Sequence, residues 1–101
     1  MNQKQTLNVG QKPWQPKNVA IFMLQELNRV NYLYQETVVW QIKEKFDDRY
    51  VYDNQNGNLA ISKDVLREFR LLTGDNVVWE RGSRLWRKRA SYDMPGKRLA
   101  D

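Results

Sequence analysis

The chain has 101 residues, a net charge of +5, 41% hydrophobic and 12% aromatic content, and neither cysteine nor histidine. That length suits one small domain around one core. The missing residue types exclude disulfides and thiolate metal sites and remove the commonest general base and transition-metal ligand.

No apolar run approaches the roughly 20 residues that a membrane span needs. The longest, Val19–Leu24, is too short for a secretory segment and has no small-residue cleavage site after it, so a cytoplasmic location is expected. Charge is unevenly spread: residues 1–17 carry three lysines and no acid, residues 18–79 a net of −2, and residues 80–101 a net of +4. Cationic ends permit an anionic partner such as nucleic acid, and they also keep a small protein in solution.

Met1–Lys17 has no period, two prolines and many amides, and reads as an extended N-terminal arm. Trp14, between Pro13 and Pro16, suits pinning that arm to the body, or to a second copy of it, better than stacking on a ligand. Asn18 can cap a helix over Val19–Arg29, with Ala20, Met23, Leu24 and Leu27 on one stripe. Asn28 and Asn31 weaken its end, and Tyr32-Leu33-Tyr34 suits a short strand. A second helix is predicted over Gln35–Phe46, burying Val38, Val39, Ile42 and Phe46. Trp40 lies beside that stripe, either partly exposed or covered by the arm.

Asp47-Asp48 ends the second helix, Tyr50-Val51-Tyr52 suits a short strand, and Asn56-Gly57 marks a turn before Leu59-Ala60-Ile61. The Asp53–Asn58 cluster lacks the ligand spacing of a calcium loop, because the twelfth position is Asp64 inside the next helix, and no metal or other cofactor is expected. Ser62 and Gly74 bracket a third helix, Lys63–Thr73. Val65, Leu66, Phe69 and Leu72 form its apolar stripe, with Lys63, Arg67 and Arg70 opposite. Three cations on one helix face are what docking on phosphates or base edges requires, and they are also ordinary solvated decoration.

Asn76–Arg89 reads as a β-hairpin with Gly82-Ser83 as a two-residue turn. That register pairs Trp79 with Trp86 and Glu80 with Leu85, and the tryptophan face must lie on helices, since a lone hairpin is only marginally stable. Arg81, Arg84, Arg87, Lys88 and Arg89 crowd its tip and exit. Beyond Met94 a Pro-Gly turn leads into a loose basic tail, so the expected divisions are arm 1–17, domain 18–93 and tail 94–101.

Helix, short strand, helix, helix, hairpin is the order of an α+β winged helix-turn-helix: three helices and a C-terminal β-hairpin. The departure is Asp47–Ile61, an extra loop or small hairpin where a turn of about three or four residues is usual. Phrases such as Tyr34-Gln35-Glu36, Val65-Leu66-Arg67-Glu68-Phe69, Val77-Val78-Trp79-Glu80-Arg81, Trp86-Arg87-Lys88-Arg89 and Tyr92-Asp93-Met94-Pro95-Gly96 give the chain, from about Met23 to Arg98, a resemblance. It resembles a family of small bacterial proteins known only as a domain of unknown function. The resemblance implies a winged-helix-type fold and relatives carried on mobile gene cassettes. It implies no activity, substrate or catalytic residue.

The expectation is a non-enzymatic module that binds duplex DNA. Lys63, Arg67 and Arg70 would face the major groove, while Arg81, Arg84, Arg87, Lys88 and Arg89 would hold phosphates or reach the minor groove. The alternative is a protein-interaction or homodimerisation module using the arm, Tyr32, Tyr34, Tyr50, Tyr52 and Trp40. Catalysis is not expected, because no phosphate-binding glycine loop or nucleophile elbow is present.

Overall fold

A computed structural model describes residues 14–100. In chain order it holds α1 (Pro16–Val30), β1 (Tyr32–Tyr34), α2 (Gln35–Lys45), a 3-10 turn at Asp48–Tyr50, β2 (Val51–Asp53), β3 (Leu59–Ile61), α3 (Lys63–Thr73), β4 (Val77–Glu80), β5 (Leu85–Lys88) and β6 (Leu99–Ala100). The protein is α+β, with three helices and a mixed sheet that carries the C-terminal strands.

α1 starts earlier than Asn18 would have it. Pro16 stands at the first helical position, where its missing N–H costs nothing. Gln15 is the cap, and its amide donates to Asn18 Oδ1 at 2.8 Å in a reciprocal capping box. Asn31 closes the helix at φ 71°, a left-handed conformation that asparagine tolerates. Trp14 packs edge-on against Phe46 at 5.1 Å, and its carbonyl accepts the Tyr50 hydroxyl at 2.7 Å. Pro16 and Lys17 of the predicted arm thus belong to α1, and residues 1–13 lie outside the described residues.

The segment between α2 and α3 is a small antiparallel hairpin, with Val51 opposite Ile61 and Asp53 opposite Leu59. Its turn is organised by Asn54, whose side-chain oxygen accepts the amides of Asn56 and Asn58, and by Gly57 at φ 79°.

α3 keeps its predicted limits but not its predicted stripe. Val65, Phe69 and Thr73 are buried, while Leu72 is exposed. Thr73 continues the i, i+4 row of Val65 and Phe69, and its hydroxyl donates to the Phe69 carbonyl at 2.9 Å, so it enters the interior with its polar atom satisfied. α3 packs chiefly on α1. Met23, Leu27, Val38, Ile42, Val65 and Phe69 fill the centre with no exposed surface or almost none. Each such side chain contributes about 1.5–3 kcal/mol by leaving water.

The four-stranded sheet runs β1-β5-β4-β6, with β1 and β4 antiparallel to β5 and β6 parallel to β4. The hairpin register is the predicted one, Trp79 opposite Trp86 and Glu80 opposite Leu85. Strand alternation puts Leu33, Val77, Trp79 and Trp86 on the face that meets the helices, where Trp86 lies edge-on to Phe69 at 5.5 Å. Val78, Leu85 and Arg87 fall on the other face and are buried too, because the chain after β5 turns back across it. The loose tail expected beyond Met94 is therefore corrected. The carbonyls of Arg98 and Ala100 accept the amides of Trp79 and Arg81 at 2.7 and 2.9 Å, which makes Leu99–Ala100 a strand.

Candidate functional site

The period of α3 fixes where its cations go. Its buried row holds it on α1, so Lys63, Arg67 and Arg70 emerge on the far side, and all three are exposed. Among the described residues no carboxylate pairs with any of them. Asp64, in the first turn, is engaged by the Ser62 hydroxyl at 2.6 Å, so Ser62 supplies the cap backbone but spends its hydroxyl on Asp64.

The hairpin tip differs from the predicted turn. Arg81–Arg84 form a four-residue loop in which Gly82 is not the residue with positive φ. Arg84 takes that conformation, at φ 56°. Its amide donates to the Glu80 carbonyl at 2.8 Å, and its own carbonyl accepts the Gln35 amide at 3.0 Å, which ties the tip to the start of α2. Arg81 and Arg84 are exposed. Lys88 is also exposed, but at the base of the hairpin, about 13 Å from Arg84 for four extended residues.

Arg87 and Arg89, both in the predicted set, are engaged by partners within the chain. Arg87 is only 6% exposed. Its Nε donates to Glu80 at 2.6 Å and its two terminal nitrogens to Asp93 at 2.9 and 3.0 Å, while Tyr92 covers the guanidinium plane at 5.4 Å. These carboxylates raise the Arg87 pKa above its ordinary value, and Arg87 together with the Ala90 amide lowers that of Asp93 to about 2. Arg89 spends its guanidinium on the backbone carbonyls of Asp75, Met94 and Lys97. A cation paired with two carboxylates, and one with three of its five N–H donors given to carbonyls, have less to offer a phosphate than the exposed cations of α3.

A groove of about 470 Å³ opens between α3 and the β4–β6 edge. Leu66, Phe69, Trp79, Trp86 and Leu99 make its walls, and the indole rings of Trp79 and Trp86 stand 4.6 Å apart. Arg70 and Arg98 stand at its rim. Sequence reasoning missed Arg98, since nothing local distinguishes it from other tail cations. Its Nη2 donates to Thr73 Oγ1 at 3.0 Å, and its Nη1 is buried with no hydrogen-bond partner. Burial, then the charge of Arg70, lower its pKa, with Asp75 opposing and Arg89 adding to the shift.

Tyr32, Tyr34, Trp40 and Tyr52 are all more than 40% exposed. Among the described residues no group of three or more acidic, His or Cys side chains is placed to hold a metal ion, and no helix is long and apolar enough to cross a membrane.

Residues 15–88 match the model of a family of unknown function, DUF6953. The chain belongs to this family. No curated protein and no solved structure matches it. The DUF6953 match takes in all three helices and the Trp79–Trp86 hairpin, and it stops at Lys88. Asp93, Arg98 and β6, which cover the sheet and complete the groove, lie beyond it.

Proposed function

We propose that this DUF6953 protein is a non-enzymatic, winged-helix module that binds duplex DNA. The order of elements supports the winged-helix reading: helix, strand, two further helices and a hairpin, with the first strand beside the last strand of that hairpin. The β2–β3 hairpin is then an insertion ahead of the helix that would enter the groove. The observation that carries the proposal is the exposed row Lys63, Arg67 and Arg70, with no carboxylate partner among the described residues. Arg81 and Arg84 at the hairpin tip supply further charge for backbone contacts, and DNA as partner implies a cytoplasmic location.

Fluorescence anisotropy of a labelled duplex, titrated at two salt concentrations, tests this. Binding through about four phosphates gives log K against log salt a slope of about −3.6. Absence of binding to any duplex at low salt would remove the proposal.

The exposed Tyr32, Tyr34, Trp40 and Tyr52 favour a second reading, a homodimerisation or protein-interaction surface without DNA. Light scattering at micromolar concentration distinguishes it, since a chain that stays monomeric would count against self-association.

A further inference from the structure

We infer that the groove between α3 and β6 is a binding site for a small molecule made of a planar aromatic ring joined to a carboxylate. Three features on different elements converge there. Apart from Gln35 and the two arginines the lining is aromatic and aliphatic, with Trp79 only partly covered, so a flat ring finds both stacking area and burial. The volume, about 470 Å³, is within the range for small-molecule sites. The charge lining the groove has one sign: Arg70 and Arg98 line it and, among the described residues, no acid does. Asp75 acts on Arg98 only through its field, without a hydrogen bond to it.

The donor set favours a carboxylate. Arg98 commits Nη2 to Thr73, and the Thr73 hydroxyl is already given to the Phe69 carbonyl. Arg98 Nη1 is left buried without a partner, and the guanidinium of Arg70 is exposed. A carboxylate offers one oxygen to Arg70 and, once a turn of the Arg98 side chain brings Nη1 to the groove surface, the other to Arg98, in charge-assisted hydrogen bonds, and relieves the repulsion between two neighbouring cations. A phosphate dianion is served less well. The groove sits towards the C-terminal half of α3, where the helix dipole is negative and opposes a dianion more strongly than the single charge of a carboxylate.

The site goes beyond the DNA reading and does not depend on it, because its test contains no nucleic acid. The probe is 2-naphthoate, compared with the neutral 2-naphthamide and with adenosine 5′-monophosphate, each titrated into the full-length 15N-labelled protein. Two readouts are followed: calorimetry, and the four indole N–H signals, assigned by single Trp→Phe variants. The expected result is saturable binding of 2-naphthoate that moves the Trp79 and Trp86 signals and leaves those of Trp14 and Trp40 in place. 2-Naphthamide is expected to bind at least about tenfold more weakly, for the loss of charge-assisted hydrogen bonds. Arg98→Gln and Arg70→Gln should each weaken 2-naphthoate about tenfold. Arg70 is on an exposed helix face, so its variant keeps the test valid should Arg98→Gln fail to fold. No binding at about 5 mM probe, equal affinity for the amide, tighter binding of the nucleotide, or shifts at Trp14 or Trp40 instead would each overturn the inference.

Discussion

Arg87 donates from both terminal nitrogens to the two carboxylate oxygens of Asp93, six residues on, and the pair is nearly dry: each side chain is 7% exposed. Asp93 also accepts the Ala90 amide at 2.7 Å, so one carboxylate turns the chain at the exit of β5 and fastens it across the back of the sheet. Arg87→Ala leaves Asp93 and Glu80 without their cation and is expected to destabilise the fold by about 3 kcal/mol. Urea unfolding followed by tryptophan fluorescence measures this, and a midpoint unchanged from the parent would refute it.

The same pair makes stability depend on acid. Asp93 titrates at about 2 in the folded chain, held there by Arg87 and the Ala90 amide, against 3.8 for the unconstrained side chain. The unfolded chain therefore takes up the proton first. The contribution is complete above pH 3.8 and is lost as pH falls towards 2. In Asp93→Asn the loss of stability between about pH 4 and pH 2 should be shallower than in the parent, as measured by urea midpoints at a series of pH values. Curves that stay parallel throughout would show that the contact carries no such linkage.

Charge removal should separate the α3 row from the hairpin exit. Arg67→Ala and Arg70→Ala are each expected to weaken duplex binding severalfold and to reduce the salt slope by about 0.9 apiece, without a shift in thermal midpoint. Arg89→Ala should do the reverse, lowering the midpoint because three backbone carbonyls lose their donor, while the salt slope of the folded fraction is kept. Equal effects of all three variants on binding would contradict this division.

Arg84 holds a left-handed conformation at φ 56° that glycine adopts without steric cost. Arg84→Gly should therefore stabilise the hairpin by about 0.5 kcal/mol, the relief of strain being partly offset by the freer unfolded chain. Arg84→Ala should not stabilise. Differential scanning calorimetry of both variants checks this, and a glycine variant less stable than the alanine one would rule it out.

Gly74 closes α3 at φ 53° and ψ −130°, a region that side-chain-bearing residues scarcely enter. A Cβ there would meet no atom within 4 Å, so the cost of Gly74→Ala is conformational rather than steric crowding. About 1–3 kcal/mol is expected in chemical denaturation. A neutral substitution would show that the helix end relaxes to another conformation.

Much of this architecture was legible in local pattern. The limits of α3, the Trp79–Trp86 register and the small hairpin between α2 and α3 all follow from period, turn residues and β-propensity within a few neighbours. The misses share a cause. Leu72 and Thr73 are 100° apart on the helix, and only the position of α1 decides which is covered. Pro16 looks like part of an arm until Gln15 and Asn18 form their cap. The turn at Arg81–Arg84 has its positive φ at arginine because the Arg84 carbonyl is needed by the Gln35 amide, 49 positions earlier in the chain.

The candidate site divides along the same line. By itself the sequence determined that α3 carries a cationic row opposite an apolar one, because a helix of fixed period must turn one side out when the other goes in. Only the tertiary structure decided how the hairpin cations are engaged: the same residue type is exposed at Arg84, paired with carboxylates at Arg87 and bonded to three carbonyls at Arg89. It also decided that Arg98 should stand beside Arg70, with Thr73, 25 residues away, as its partner. The physical reason is range. Backbone periodicity acts between neighbours in the chain, whereas the charge state and accessibility of a guanidinium are set by whatever carboxylate or carbonyl the folded path brings within about 3 Å of it.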